Sequence, residues 1–272
     1  VSAKSGFTLG DLPVQSGPIA YWPDGSLKWS AHAIGPQTSA QASYPLAPGK
    51  PVAPAAPLSV SQSTEAFTVT AGDLTWTVPK SGKALITSAM RAGKPAMGGV
   101  TLSALTQNAA SLEEQPDLKQ SSFDGQVTSA VLEQSGQVRT VIKLDGQHTD
   151  GARQWLPFTV RLYFYAGSEA VRIVHSFIFD GDETKDFIRG LAIRAQAPMT
   201  DELYNRHIRF SGQENGVWGE AVRSLTGLRR DPGKTAREAQ IAGKHVNAAD
   251  IALAVSDNLP NSPYWNDFTC AQ

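Results

Sequence analysis

Asn205, His207 and Arg209, each two residues from the next, form the constellation in this sequence best suited to chemistry. In an extended strand alternate residues share a face and lie about 7 Å apart. An imidazole at such a position titrates near neutral pH and can accept a proton. A guanidinium two residues further on can grip a carboxylate through two parallel hydrogen bonds. The interleaved residues Tyr204, Arg206, Ile208 and Phe210 mix an apolar lining with one cation, as in a strand whose other side packs inward. The same pattern also describes a solvated strand face, or one that only binds saccharide, and both readings stand beside the catalytic one. Arg229 and Arg230, followed by Lys234, make a short basic loop suited either to an acidic polymer or simply to solvent.

The remaining chemistry-bearing residues invite plainer readings. His175 alternates with Val171, Ile173, Phe177 and Phe179, so a hydrogen-bonded core histidine is expected there. His32 follows Trp22 and Trp29 in an aromatic segment; the indole faces match the apolar face of a pyranose, yet the filling of a small barrel is the expected role. His148 and His245 fall in polar stretches read as loops. Asp180, Asp182, Glu183 and Asp186 crowd four carboxylates into one short segment, and calcium favours such oxygen ligands. Thr184 and Lys185 break the spacing of an EF-hand, however, so a turn held by Asx-type hydrogen bonds and Lys185 is expected, with no resident cofactor.

The elements that must position these residues are nearly all strands. Residues 66–70, 74–78, 84–88, 127–132 and 138–144 combine β-branched enrichment with near period-two patterning. The strongest pair is 158–165 and 171–179, joined at Ala166, Gly167 and Ser168, with 187–194 and 204–210 following. Pro23, Asp24 and Gly25 supply a tight turn between two aromatic runs, which predicts a hairpin over residues 21–34. Five prolines between residues 44 and 57 predict a stiff extended connector and a domain boundary. Only residues 235–242 have a helical composition. The expected fold is therefore all-β, with a large antiparallel β-sandwich.

Composition narrows the function classes. Lys and Arg number 24 against 25 Asp and Glu, a net charge of -1, so no overall field attracts nucleic acid or an anionic membrane. No stretch reaches the roughly 18 apolar residues of a membrane span. The single cysteine, Cys270, cannot form an internal disulfide. Walker loops, dinucleotide fingerprints, paired-cysteine zinc sites and the Gly-x-Ser-x-Gly elbow are all missing from the sequence, which removes nucleotide-driven and thiol chemistry. Nothing identifies the facing carboxylate pair of a glycoside hydrolase among the acidic residues.

Two segments resemble a known family. AYWPDGSLKWSAHAI at residues 20–34 is similar to the N-terminal barrel of exo-acting rhamnogalacturonan lyases, polysaccharide lyase family 26. LPFTVRLYFYAGSEAVRIVHSFIFDGDETKDFIRGL at residues 156–191 resembles the central β-sandwich of that family, and DELYNRHIRF (201–210) and GEAVRSLTGLRRDPG (219–233) continue it. The resemblance implies a small, incomplete RIFT-like barrel with a proline-rich linker over 1–57 and a central sandwich over 58–272. It also implies a C-terminal helical toroid, for which the residues up to Gln272 carry no amphipathic pattern, so the chain is expected to be an incomplete enzyme.

By the same resemblance the expected activity is β-elimination at a galacturonate of the rhamnogalacturonan backbone, part of pectin degradation. Elimination removes the C5 proton, so the site needs a base, a cation on the carboxylate and a proton source at the leaving oxygen. His207 is the candidate base and Arg209 the carboxylate grip, with Arg206, Tyr204, Asn205, Arg229 and Arg230 as candidate substrate contacts. The expected partner is an acidic plant polysaccharide or oligosaccharide met in a secreted or periplasmic setting, with neither nucleic acid nor membrane. A non-catalytic carbohydrate-binding or structural β module is the alternative.

Overall fold

The computed structural model describes residues 6–35, 43–110, 118–200, 202, 206–211, 217–221 and 234–242. The chain separates into two compact units, Val1–Gln196 and Ala197–Gln272.

In the first unit, residues 21–34 form the expected turn. β2 (Val14–Tyr21) and β3 (Leu27–Ile34) pair antiparallel, with register shifts on either side of Ala20. A separate two-stranded ribbon joins β1 (Phe7–Thr8) to β4 (Ala47–Pro48) inside the proline-rich stretch. The described residues of these two ribbons form open sheets.

The main body is a sandwich. One sheet orders β10 (Lys94–Met97), β9 (Ser88–Arg91), β7 (Leu74–Pro79), β6 (Ala66–Ala71) and β5 (Ser59–Gln62). The facing sheet orders β15 (Arg172–Phe177), β14 (Gln154–Tyr165), β13 (Arg139–Thr149), β12 (Gln120–Gln134), β11 (Val100–Gln107) and β16 (Phe187–Ala195), with β8 (Ala84–Ile86) also pairing β11. The alternation that predicts strands also assigns their faces. Along β14, Phe158, Val160, Leu162 and Phe164 point into the core while Thr159, Arg161, Tyr163 and Tyr165 are only partly buried. Phe67, Val69, Trp76 and Val78 answer from the other sheet, so both sheets share one apolar cluster, bridged by Trp76 and Phe164 at 5.3 Å between rings.

Most sequence-based strands of the sandwich keep their place, several of them longer, while 171–179 shortens to Arg172–Phe177 and 84–88 divides between β8 and β9. β12 begins at Gln120, seven residues before the β-branched run, because its largely polar first half is held by pairing with β11 and by the burial of Phe123. β11, β5, β9 and β10 are additional; β11 has apolar and small residues on both faces and lacks clean alternation. Gly146 marks a close approach in the centre of the sheet: a Cβ there would collide with the Gln126 carbonyl and the Phe158 ring.

In the second unit β17 (His207–Ser211) pairs antiparallel with β18 (Val217–Ala221), and α1 (Lys234–Ile241) follows, one residue from the expected helix. No helix among the described residues is long and apolar enough to cross a membrane.

Candidate functional site

β17 carries the sequence-predicted constellation, and its local geometry separates the roles of neighbouring residues. Arg206 is 7% exposed, and its Nη2 donates a hydrogen bond of 2.7 Å to the carbonyl of Ile241 in the last turn of α1. The final carbonyls of a helix lack intrahelical donors, so a guanidinium there satisfies an orphan acceptor and complements the negative end of the helix dipole. Arg206 thus belongs to the scaffold that fixes where β17 starts. The next residue, His207, is exposed, as expected when one residue packs inward and its neighbour turns out. The register sets Ala221 opposite His207 and Gly219 opposite Arg209. Directly opposed residues share a sheet face, so this face pairs the histidine and arginine with the two smallest residue types. On the other face Ile208 opposes Glu220 and Phe210 opposes Trp218. Tyr204, Asn205, Arg229 and Arg230 lie outside the described residues.

A second cluster of titratable groups sits at one end of the sandwich. His148, read from sequence as a loop residue, is instead on β13, paired with Trp155 and fully buried. It continues the inward face of Ile142 and Leu144, with Phe158 edge-on at 5.2 Å. Its Nδ1 lies 2.9 Å from the Leu156 carbonyl, which makes Nδ1 the protonated nitrogen of a neutral ring. His175, opposite Val160 on edge strand β15, is only partly buried, with Phe177 beyond it exposed, so the expected hydrogen-bonded core histidine is not what the structure has. The two rings are 6.0 Å apart, and both Nε2 atoms, like Nε1 of Trp155, are buried without a hydrogen-bond partner among the described residues. Burial holds both imidazoles below the ordinary histidine pKa, with a smaller like-charge contribution from His148 at His175. His148, fully buried, cannot reach a polymeric substrate and is structural.

The carboxylates that follow are committed to protein partners. Arg153 donates two hydrogen bonds, 2.6 and 2.7 Å, to the two oxygens of Asp186 and stacks 4.5 Å from the Trp155 ring. That fork, helped by the Asp182 N–H, holds the Asp186 carboxyl down at about 2. Asp180 accepts the backbone N–H of Leu156 at 2.7 Å, fixing a residue in the left-handed region with φ of 47°. Asp182 accepts from Thr184 N–H and Oγ1 and pairs with Lys185. This is the Asx-type turn read from the sequence. No grouping of three potential metal ligands occurs among the described residues.

At the β2–β3 hairpin the expected barrel filling is not what the structure has. Trp22 is 50% and Trp29 64% exposed, with Tyr21 and Ile19 beside them also exposed. The register shifts around Ala20 turn the tip outward, so successive aromatics reach solvent. His32 is held below them, its ring nitrogens each 2.8 Å from the hydroxyls of Ser16 and Ser30.

Comparison with known proteins adds an independent observation. Residues 58–272 match the model of the PcRGLX-like protein central beta sandwich domain, and residues 4–49 match that of the PcRGLX-like N-terminal RIFT barrel domain. The chain is also 34% identical over 219 residues to the uncharacterized protein YetA of Bacillus subtilis (strain 168). That alignment covers 80% of this chain and 25% of YetA, so the chain spans about a quarter of its relative's length.

Proposed function

The chain belongs to the PcRGLX-like family, related to rhamnogalacturonan lyases, and from that premise we propose that it forms the barrel-and-sandwich part of a lyase cleaving rhamnogalacturonan by β-elimination at a galacturonate. The observation that carries the proposal is the contrast along β17. Arg206 is buried and anchored to α1, while His207 beside it is exposed and opposed by Ala221.

In the proposed reaction Arg209 pairs with the uronate carboxylate and so stabilises the negative charge that develops as the C5 proton departs. His207 takes that proton. The C5–H electron pair becomes the C4–C5 double bond, the C4–O bond breaks, and the leaving oxygen takes a proton from water. Tyr204, Asn205, Arg229 and Arg230 are proposed substrate contacts in the same unit. With a polymeric substrate, the proposed setting is secreted or periplasmic.

A second reading, a non-catalytic carbohydrate-binding module, is favoured by the exposed aromatic hairpin. The two readings part on one test. Rhamnogalacturonan is incubated with the chain alone and with YetA carrying the chain in place of its own matching quarter. Unsaturated uronide absorbance from either protein supports elimination. Saccharide binding with no unsaturated product from either supports the module and removes the lyase.

A further inference from the structure

Exposed tryptophans demand a reason. An indole buries more apolar surface than any other side chain when it folds inward, so two of them half or more exposed on one hairpin, with Tyr21 and Ile19 alongside, form a patch of the kind that marks a binding surface. The patch is also stiff. Trp22 N–H donates to the Ser26 carbonyl at 2.8 Å and Gly25 N–H to the Trp22 carbonyl at 2.9 Å. Ser26 N–H donates to the Asp24 carboxylate at 2.9 Å, and Gly25 takes the turn through a φ of +81°. Beneath, the Ser16–His32–Ser30 bonds tie the two strands together side chain to side chain.

A cation stands at the same place. The Lys28 ammonium lies 4.6 Å from the centroid of the Trp22 ring and is exposed. Among the described residues the ion-paired lysines are Lys83, Lys143, Lys185 and Lys234, and Lys28 is not one of them. An aromatic shelf next to an ammonium without a carboxylate is complementary to a sugar chain in which a ring with an apolar face neighbours a uronate.

We propose that the β2–β3 hairpin is a saccharide-binding platform on which a pyranose ring stacks against Trp29 or Trp22 while the carboxylate of an adjoining uronate meets Lys28. The proposal rests on the reading that the ligand of this protein is an acidic polysaccharide. A second copy of the chain is the poorer occupant, because a two-fold contact sets each patch against itself and brings Lys28 toward Lys28.

The test is a titration of the His207→Asn variant, which lacks the proposed base, with rhamnogalacturonan oligosaccharides, followed by tryptophan fluorescence. The chain has six tryptophans, so the platform's signal is the part of the binding-induced shift to shorter wavelength that is lost in Trp22→Ala and Trp29→Ala. Trp29→Ala and Trp22→Ala should each weaken binding by roughly three- to tenfold, the size of an aromatic contact. Lys28→Gln should weaken it several-fold and flatten its dependence on salt. Both tryptophans are exposed, so far-UV circular dichroism should show unchanged folding. Wild-type affinity in the two tryptophan variants would overturn the platform, as would concentration-dependent dimerisation abolished by Trp29→Ala. Absence of unsaturated product from both the unaltered chain and YetA carrying it would sink elimination alone and leave the platform standing.

Discussion

His148 and His175 stand 6.0 Å apart, ring to ring, with both Nε2 atoms buried and, among the described residues, unpartnered at the end of an otherwise apolar core. Burial of His148 and partial burial of His175 disfavour the charged form of both imidazoles. Around them are Phe158 and Phe177, and the hydrogen bond they have is from His148 to the Leu156 carbonyl.

The consequence is acid sensitivity in a definite window. Both histidines have folded-state pKa values below the ordinary 6.5. As pH falls through 6.5 the unfolded chain takes up protons that the folded chain refuses, so stability declines from there downward and is fully present above. Thermal melts between about pH 8 and about pH 5 should show a falling midpoint. His175→Phe should flatten that slope, and a midpoint independent of pH over this range would contradict the lowered pKa values of the pair.

A second acid transition belongs to Asp186. Its carboxyl, held at about 2 by Arg153, is below its ordinary 3.8, so its contribution is present above 3.8 and disappears as pH falls toward 2. The Arg153 side chain is partly exposed, which screens the pair. Asp186→Asn is expected to cost on the order of 1–2 kcal/mol in urea unfolding at neutral pH, and much less near pH 2. An equal cost at both pH values would point to lost packing rather than lost charge.

Ala92 offers a gain. It sits exposed in the β9–β10 turn with φ of 46°, next to Gly93 at 78°. Two successive left-handed residues define the tight hairpin turn that favours Asn-Gly. Ala92→Asn should stabilise the protein by about 0.5–1 kcal/mol, read as a rise in melting temperature.

Arg206 should prove structural. Arg206→Met removes the donor to the Ile241 carbonyl and is expected to destabilise by about 1–3 kcal/mol. Amide hydrogen exchange should quicken across His207–Ser211 and Lys234–Ile241 together. Faster exchange in only one of the two would dissociate strand from helix.

Much of the fold was legible because its physics is local. The inward row Phe158, Val160, Leu162 and Phe164 follows from alternation alone, and the 21–34 hairpin from the Pro-Asp-Gly turn. His148 was not legible. Its surroundings, Gly146, Gln147 and Asp150, read as a turn, whereas β13 runs on through Gly146 and Gln147 to Thr149 and the chain turns at Gly151, with φ of +96°. Register shifts at Gly146 and around Ala20 are set by the partner strand, so the burial of His148 and the exposure of Trp22 could not be read from spacing. At the candidate site the alternation of Arg206 inward and His207 outward was legible. The partner of Arg206 was not, because it is a backbone carbonyl 35 residues away.

The most direct check on β17 as the place where elimination happens is the rate of unsaturated uronide formation from rhamnogalacturonan by the unaltered protein, His207→Asn and Arg209→Lys, each measured across pH. His207→Asn is expected to lower the rate by about 10²–10⁴-fold and to erase the limb of the pH profile that reports deprotonation of a base. Arg209→Lys should lower kcat as well as raise KM, because a point charge replaces the fork on the carboxylate where negative charge develops. A His207→Asn protein that keeps the unaltered rate and pH profile would place the base elsewhere.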